Sequence, residues 1–374
     1  MSKRVLVTGG AGFIGSHLVD KLIELGHQVV VFDSLEPQVH GEKREIPKYL
    51  NEECEFIEGD VRDRNSLGRA LQKIEIIFHQ AAAVGVAQSM YEISRYSQVN
   101  VLGTGNLLDI LANESHQVEK LIVASSMSVY GEGQYNCAKC GVVYPRLRSL
   151  SQLKKGKWEM RCPLCNEKVE SLPTDEDKPL YPTSVYAISK RDQEEMCLTV
   201  GRAYHIPSVA LRYFNVYGPR QALSNPYTGI AAIFSSRILN NHSPCIFEDG
   251  LQSRDFTHVS DIIQANLLAM QNNKANYQVF NVGTGRSLRV LDIARALIKK
   301  LGSSIDIDIV SKYREGDIRH CYADISKIQS GLGFQPKVKF EEGVSDLVEW
   351  VRDQEARDQF EKSRRELEQK GLTT

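Results

Sequence analysis

No stretch of this 374-residue chain approaches the roughly 18 consecutive apolar residues of a membrane span, and the apolar N-terminal stretch is broken by glycines and lacks a small-residue cleavage site. No membrane partner is expected, and the chain reads as cytoplasmic. Charge is not in excess either: 46 Lys and Arg stand against 47 Asp and Glu, a formal net charge of -1. That removes any bulk electrostatic reason to expect nucleic acid or an anionic surface. Cysteine is sparse, with 8 residues; Cys54, Cys197, Cys245 and Cys321 stand alone and the other four form two C-x-x-C pairs. This pattern argues for reduced thiols plus a metal site. The remainder is ordinary for a soluble globular protein, 42% hydrophobic and 25% charged, and long enough for a large domain plus a smaller one.

Lys3 to Thr8 is a short β-branched run, and Gly9-Gly10-Ala11-Gly12-Phe13-Ile14-Gly15 follows it, opening a helix from Ser16 to Leu25. A strand, a glycine turn and a helix in that order let backbone N–H groups approach a pyrophosphate at a helix N-terminus. The second strand, Val29 to Phe32, ends in Asp33, where a carboxylate would bind adenosine ribose hydroxyls and repel a 2′-phosphate. NAD is therefore favoured over NADP; the alternative is a solvent-facing Asp at a strand end. Strands at Cys54–Glu58, Ile74–His79 and Lys120–Ala124 alternate with helices at Asp63–Leu71 and Ile93–Leu111. Such alternation predicts a doubly wound α/β fold, a Rossmann-type parallel sheet with ligands beyond the strands' carboxyl ends. Asp60 would hydrogen-bond the adenine amine beside Val61, with Asp63 open to a helix-capping role, and the small Ala81 and Ala82 would let a cofactor backbone lie close.

Beyond the fifth strand stand Ser126 and, later, Tyr186 and Lys190, four apart on one helical face. A free phenol titrates near about 10, so Tyr186 acts as a base near neutrality only if a neighbouring cation stabilises its phenolate. Lys190 can supply that charge, and Ser126 would hold the substrate hydroxyl. Taken alone, Tyr-x-x-x-Lys is also an ordinary amphipathic helix face.

Together with T-G-G-A-G-F-I-G (8–15), G-D-V-R-D (59–63), H-Q-A-A (79–82), S-S-M-S-V-Y-G (125–131), Y-A-I-S-K (186–190), R-Y-F-N-V-Y-G-P-R (212–220), R-D-F-T-H-V-S-D (254–261) and R-E-G-D (314–317), the chain resembles an extended short-chain dehydrogenase/reductase of the nucleotide-sugar epimerase and dehydratase type. The resemblance implies Ser126, Tyr186 and Lys190 as catalytic, and Gly9, Gly12, Phe13, Ile14, Gly15, Asp33, Asp60, Val61, Ala81 and Ala82 on NAD beside Tyr186 and Lys190. It further implies a nucleotide-diphosphate sugar held by Ser126, Ser89, Asn215, Arg254 and Arg314, with Asp317 on the ribose. Arginines suit a diphosphate because they give charge-assisted, bidentate hydrogen bonds. A homodimer paired through helices near Ile93–Leu111 and Ser184–Tyr204 is implied as well.

The family's 4,6-dehydratases carry Asp-Glu after the catalytic Ser or Thr, and the related decarboxylases carry Glu second; here the pair is Met127-Ser128. Neither side chain exchanges a proton as a carboxyl group does, which leaves 4-epimerisation through a transient 4-keto sugar. Val84 stands where UDP-galactose 4-epimerases carry a Lys, Val86, Gln88, Ser89 and Tyr91 are expected along the sugar, and Arg319 and His320 precede Cys321, the match to a gate residue beside the sugar. The segments 36–40, 84–93 and 125–133 resemble those of dTDP-L-rhamnose 4-epimerases. A dTDP- or UDP-activated hexose is thus the expected substrate, dTDP-L-rhamnose first. The rivals are UDP-glucose or UDP-N-acetylglucosamine 4-epimerase, a 4-keto reductase, a dehydratase or a decarboxylase, and, in another class, a non-catalytic NAD-binding or zinc-mediated interaction protein.

Residues 127–185 hold an insertion with Cys137-Ala138-Lys139-Cys140 and Cys162-Pro163-Leu164-Cys165. Two such knuckles close a tetrahedron of four thiolates, a structural zinc ribbon with no open position for water. A disulfide pair is the lesser alternative. The ribbon would cover the sugar site or pack on a partner subunit; its basic residues with Trp158 suggest nucleic acid, but Glu159, Glu167 and Glu170 dilute the charge. The division expected is an NAD-binding domain over 1–133 and 175–222, the ribbon over 134–174, and a mainly substrate-binding domain over 223–353 with a strand near 279–282 returning to the sheet. Ile246 and Phe247 would wall the nucleotide base. Residues 354–374 read as a polar tail, an exposed helix or frayed end without a core face.

Overall fold

The computed structural model describes residues 2–314, 316–354 and 356–373. Seven parallel strands, β1 (Arg4–Thr8), β2 (Gln28–Asp33), β3 (Glu55–Glu58), β4 (Ile76–His79), β5 (Lys120–Ser126), β6 (Ser208–Tyr213) and β7 (Val279–Val282), form one sheet in the order β7-β6-β5-β4-β1-β2-β3. Alternation along the strands feeds two cores. Val5, Val7, Val29 and Val31 pack with Leu18, Leu22, Ile262 and Ala269, while Leu6, Val30 and Phe32 pack with Leu67, Leu107, Leu111 and Cys197 on the other face. Side chains that point alternately to two covered faces are what a near-continuous apolar strand requires.

The order of elements reads as expected, with two differences that matter. The helix expected over Ile93–Leu111 is interrupted: Ser97–Leu102 is a π-helical turn between α-helical Ile93–Tyr96 and Gly103–Asn113. Its cause is local. Asn100 is fully buried; its Oδ1 accepts from the Ala83 N–H at 2.8 Å, and its Nδ2 donates to the Ala83 carbonyl at 3.1 Å and to Ser189 Oγ at 2.9 Å. Three bonds to the loop after β4 and to the next helix outweigh one regular helical turn, and π-bulges often sit at functional sites.

The second difference is the C-terminal segment. Instead of an exposed helix or frayed end without a core face, Phe360–Gln369 is a helix with Phe360, Ser363 and Leu367 buried. Phe360 packs with Cys245 and Phe247. Before it, Phe340–Arg352 lays Phe340, Val344, Leu347 and Val351 on Tyr217, Phe234, Ile246 and Phe256, the core of the C-terminal lobe.

The inserted segment forms a three-stranded antiparallel sheet, Gln134–Cys137 pairing with both Gly141–Val143 and Glu170–Leu172. It is bolted to the C-terminal lobe through ions. Arg148, nearly all buried, meets Glu248 at 2.8 Å, and the fully buried Arg319 reaches Glu248, Asp249 and Glu159. Arg319 is therefore taken up in this ion cluster and does not line the cavity beside which it was expected. Its guanidinium takes three carboxylates, which is how so deep a charge is tolerated.

Candidate active site

A cavity of about 530 Å³ opens beyond the carboxyl ends of the strands. Among its lining residues are Gly9, Gly12, Phe13, Ile14 and Gly15 from the first turn, Asp33, Asp60 and Val61 after β2 and β3, Ala81 and Ala82 after β4, and Ser126, Tyr186 and Lys190. Gly9 has φ +69°, and a Cβ there would lie 2.9 Å from the Ala81 backbone; one on Gly15 would collide with the Gly9 carbonyl. Gly12 caps the Phe13–Glu24 helix without any side-chain hydrogen bond, so the first amides are left for an anion. Asp33 accepts from the Ala11 and Leu35 amides at 3.0 Å each, which fixes its carboxylate at the strand end. Asp60 is gripped by Arg62, Nη2 to Oδ2 at 2.6 Å. Burial alone would raise its carboxyl, but those hydrogen bonds hold it below the ordinary range.

The hydroxyl, phenol and ammonium meet at the end of β5. Ser126 Oγ accepts from the Ser128 amide at 3.1 Å, donates to Ser128 Oγ at 3.2 Å and stands beside the Tyr186 phenol. Burial pushes the Tyr186 phenol up, and Ser126 partly opposes this. Burial pushes Lys190 down to about 7; its Nζ donates to the Ala124 carbonyl at 2.8 Å. Without a further positive charge the pair is thus protonated phenol and readily neutralised amine. Around it the polar groups are paired: Ser125 donates to Glu194, which Arg212 also holds, and His79 sits between Thr8 Oγ1 at 2.8 Å and Thr104 Oγ1 at 3.0 Å. Burial drives that imidazole down to about 3, so it is a neutral brace and not an acid.

The other expected substrate residues divide. Asn215 and Arg314 line the cavity, and Asn215 Oδ1 and Arg314 Nε are buried without a partner among the described residues. Arg314 lies 4.2 Å over the Phe247 ring. Glu315 of the same motif lies outside the described residues. Ser89 does not line the cavity: its Oγ donates to the Val86 carbonyl and accepts from the Tyr186 amide at 3.0 Å, so it seats the catalytic helix. Arg254 and Asp317 are also off the lining, paired with each other at 3.2 Å. Val84 and Val86 reach the cavity, whereas Gln88, Tyr91, His320 and Cys321 do not; Cys321 is buried with Met127, Tyr130 and Phe214. Sequence reasoning missed Asn100, Gln221, Asn225 and Tyr227, which no local motif marks, Tyr213 within the 212–220 motif, and the Phe360–Gln369 helix, whose period is visible in the sequence. The four cysteines of the insertion bring their sulfurs within 4.8 Å of one another.

A doubly wound parallel sheet with a glycine turn at its first strand defines a dinucleotide-binding protein of the Rossmann type. Residues 5–146 match the model of the NAD dependent epimerase/dehydratase family and residues 168–347 that of GDP-mannose 4,6 dehydratase. A dTDP-L-rhamnose 4-epimerase from Burkholderia thailandensis is 35% identical over 93% of this chain and 95% of its own. Among solved structures, UDP-N-acetylglucosamine 4-epimerase from Methanobrevibacter ruminantium, in complex with UDP-N-acetylmuramic acid, is 34% identical with a TM-score of 0.76, covering 95% of this chain and 99% of that one. UDP-glucuronic acid 4-epimerase from Bacillus cereus, in complex with UDP-glucuronic acid and NAD, is 28% identical with the same TM-score, over 93% and 99%. The chain belongs to the NAD dependent epimerase/dehydratase family.

Proposed function

We propose that the protein is an NAD-dependent nucleotide-sugar 4-epimerase, with dTDP-L-rhamnose the first substrate to test. One observation carries the choice of reaction: the only carboxylates lining the cavity, among the described residues, are Asp33, Glu36 and Asp60. Asp33 ends β2, three strands from Ser126 at the end of β5, about 14 Å at the usual strand spacing. Eliminating water would need an acid and a base beside Tyr186, and Met127 and Ser128 occupy that place. Transfer of one proton and one hydride needs neither.

The glycine turn, the uncapped helix and the Asp33 carboxylate fit NAD, which when bound supplies a hydride acceptor and donor at sugar C4. Gly9, Gly12, Phe13, Ile14 and Gly15 would hold its pyrophosphate, Asp33 its ribose, Asp60 and Val61 its adenine, and Ala81 and Ala82 its backbone. Ser126 positions the 4-hydroxyl and Tyr186 takes and returns its proton. Lys190, charged, lowers the cost of the phenolate. Asn215 and Arg314 take the diphosphate, with Arg254 exchanging Asp317 for phosphate and Asp317 exchanging Arg254 for ribose.

Zinc fits the four cysteines, because sulfurs about 2.3 Å from one ion lie about 3.8 Å apart. All four positions are then protein, so the metal is structural. Through Arg148, Arg319 and Glu159 the ribbon props the wall that carries Phe247 and the 314–321 segment. The domain division proposed is the one expected from sequence, with the Phe360–Gln369 helix, whose Phe360 packs with Cys245 and Phe247, joined to the substrate-binding lobe. Ile93 and Leu102, exposed on the interrupted Ile93–Asn113 helix, and Ile188, exposed on the catalytic helix, support the homodimer.

The test is incubation of the purified protein with dTDP-L-rhamnose, UDP-glucose, UDP-N-acetylglucosamine and UDP-glucuronate, with C4 configuration followed by NMR. Inversion at C4 without added reductant is expected for at least one. If all four stay unchanged while the protein holds NAD, the epimerase reading fails.

A further inference from the structure

The Phe360–Gln369 helix is anchored at three places around the cavity. At its start Phe360 packs with Cys245 and Phe247, Arg237 stacks 4.3 Å over the Phe360 ring, and Arg237 also meets Asp358 and Glu361. Near its end Glu366 accepts from Tyr227 at 2.7 Å and Tyr91 at 3.2 Å, binding the helix to the loop after β4. Beyond it Thr373 forms a backbone bridge with Arg314. Phe360, Ser363, Arg364 and Leu367 fall at i, i+3, i+4 and i+7, one helical face, and all four line the cavity. That face shares the lining with Asn215, Gln221 and Arg314, whose buried Oδ1, Oε1 and Nε atoms lack partners among the described residues.

Arg364 has donors to spare. Its Nε bonds Glu368 at 3.2 Å, and Glu361 lies 3.7 Å from Nη1, beyond hydrogen-bond reach. Among the described residues its terminal nitrogens have no hydrogen bond. A guanidinium held from behind by carboxylates of its own helix, and facing a cavity with a second arginine, is set to take an anion.

We propose that the C-terminal helix is a wall of the ligand site and that Arg364 binds the nucleoside diphosphate of the substrate, alongside Arg314; this rests on the nucleotide-sugar reading above. The helix thereby adds contacts that the strand-end motifs do not contain, and affinity for the nucleotide depends on a segment remote in sequence from every one of them.

The experiment is calorimetric titration of full-length protein with dTDP and with UDP, for wild type, Arg364→Ala and Arg364→Lys, with melting temperature and bound NAD measured on each. Expected are an affinity loss of about tenfold or more for Arg364→Ala, a smaller loss for Arg364→Lys, and unchanged NAD content and melting. With the sugar substrate KM rises by a similar factor while kcat holds. In wild type, amide hydrogen exchange across 360–369 slows when dTDP is added. Binding of both nucleotides by Arg364→Ala within twofold of wild type, or exchange in 360–369 indifferent to dTDP, overturns the proposal and leaves the epimerase reading standing. Failure of wild type to bind either nucleotide overturns both.

Discussion

At Tyr186 and Lys190 burial acts in opposite directions on two groups four residues apart. It raises the phenol and lowers the ammonium to about 7, so each is pushed toward its neutral form. Lys190 makes this measurable as stability. Its folded pKa lies below the unfolded value of 10.5, so between about 7 and 10.5 the unfolded chain binds a proton that the folded chain does not, and stability rises with pH across that window. In NAD-free protein, urea unfolding should show Lys190→Met more stable than wild type near pH 6.5, with the gap closing by at most about 1.4 kcal/mol per pH unit on going alkaline. A gap that does not change with pH means the amine is not desolvated. Tyr186→Phe should keep the melting temperature and lose about 10²- to 10⁴-fold in kcat, measured by NMR turnover. These residues were legible because their chemistry lies in a short motif. The pairings of Ser89, Arg254 and Arg319 with Tyr186, Asp317 and Glu159 were not legible, because the partners come from distant segments that no local pattern relates.

Among elements, the insertion shows what spacing reveals and what it hides. Two C-x-x-C pairs foretold a four-sulfur cluster; nothing in them foretold that Arg148 and Arg319 would meet at Glu248. Arg148→Met leaves Glu248 with one cationic partner instead of two, and is expected to cost about 3 kcal/mol in urea unfolding. Cys162→Ser should lower bound zinc, measured by atomic absorption, from one per chain to a small fraction, and lower the melting temperature. An unchanged metal content removes zinc from the description. The tail hides its core face differently. Its composition is polar, but Phe360, Ser363, Arg364 and Leu367 repeat at helical spacing, and so few apolar residues suffice because the cavity wall supplies the other side. The π turn at Asn100 lay beyond reach, since its cause is three hydrogen bonds to Ala83 and Ser189.

For the whole molecule, the alternation of strands and helices fixed which residues share the cleft: Gly9, Asp33, Ala81 and Ser126 all follow strand ends of one parallel sheet. The exposed Ile93, Leu102 and Ile188 predict a dimer at this scale; sedimentation should give twice the chain mass, and Ile93→Glu with Ile188→Glu should give the monomer. The central claim is that hydride leaves and returns at C4 while the proton leaves and returns at the 4-hydroxyl oxygen. The most direct measurement is turnover of nucleotide sugar deuterated at C4, read by NMR and mass spectrometry. Epimerisation by Tyr186 with a resident hydride carrier predicts inverted product with the deuterium still on C4 and no net reduced cofactor in solution. Loss of the label to solvent, or accumulation of reduced cofactor in proportion to product, contradicts it.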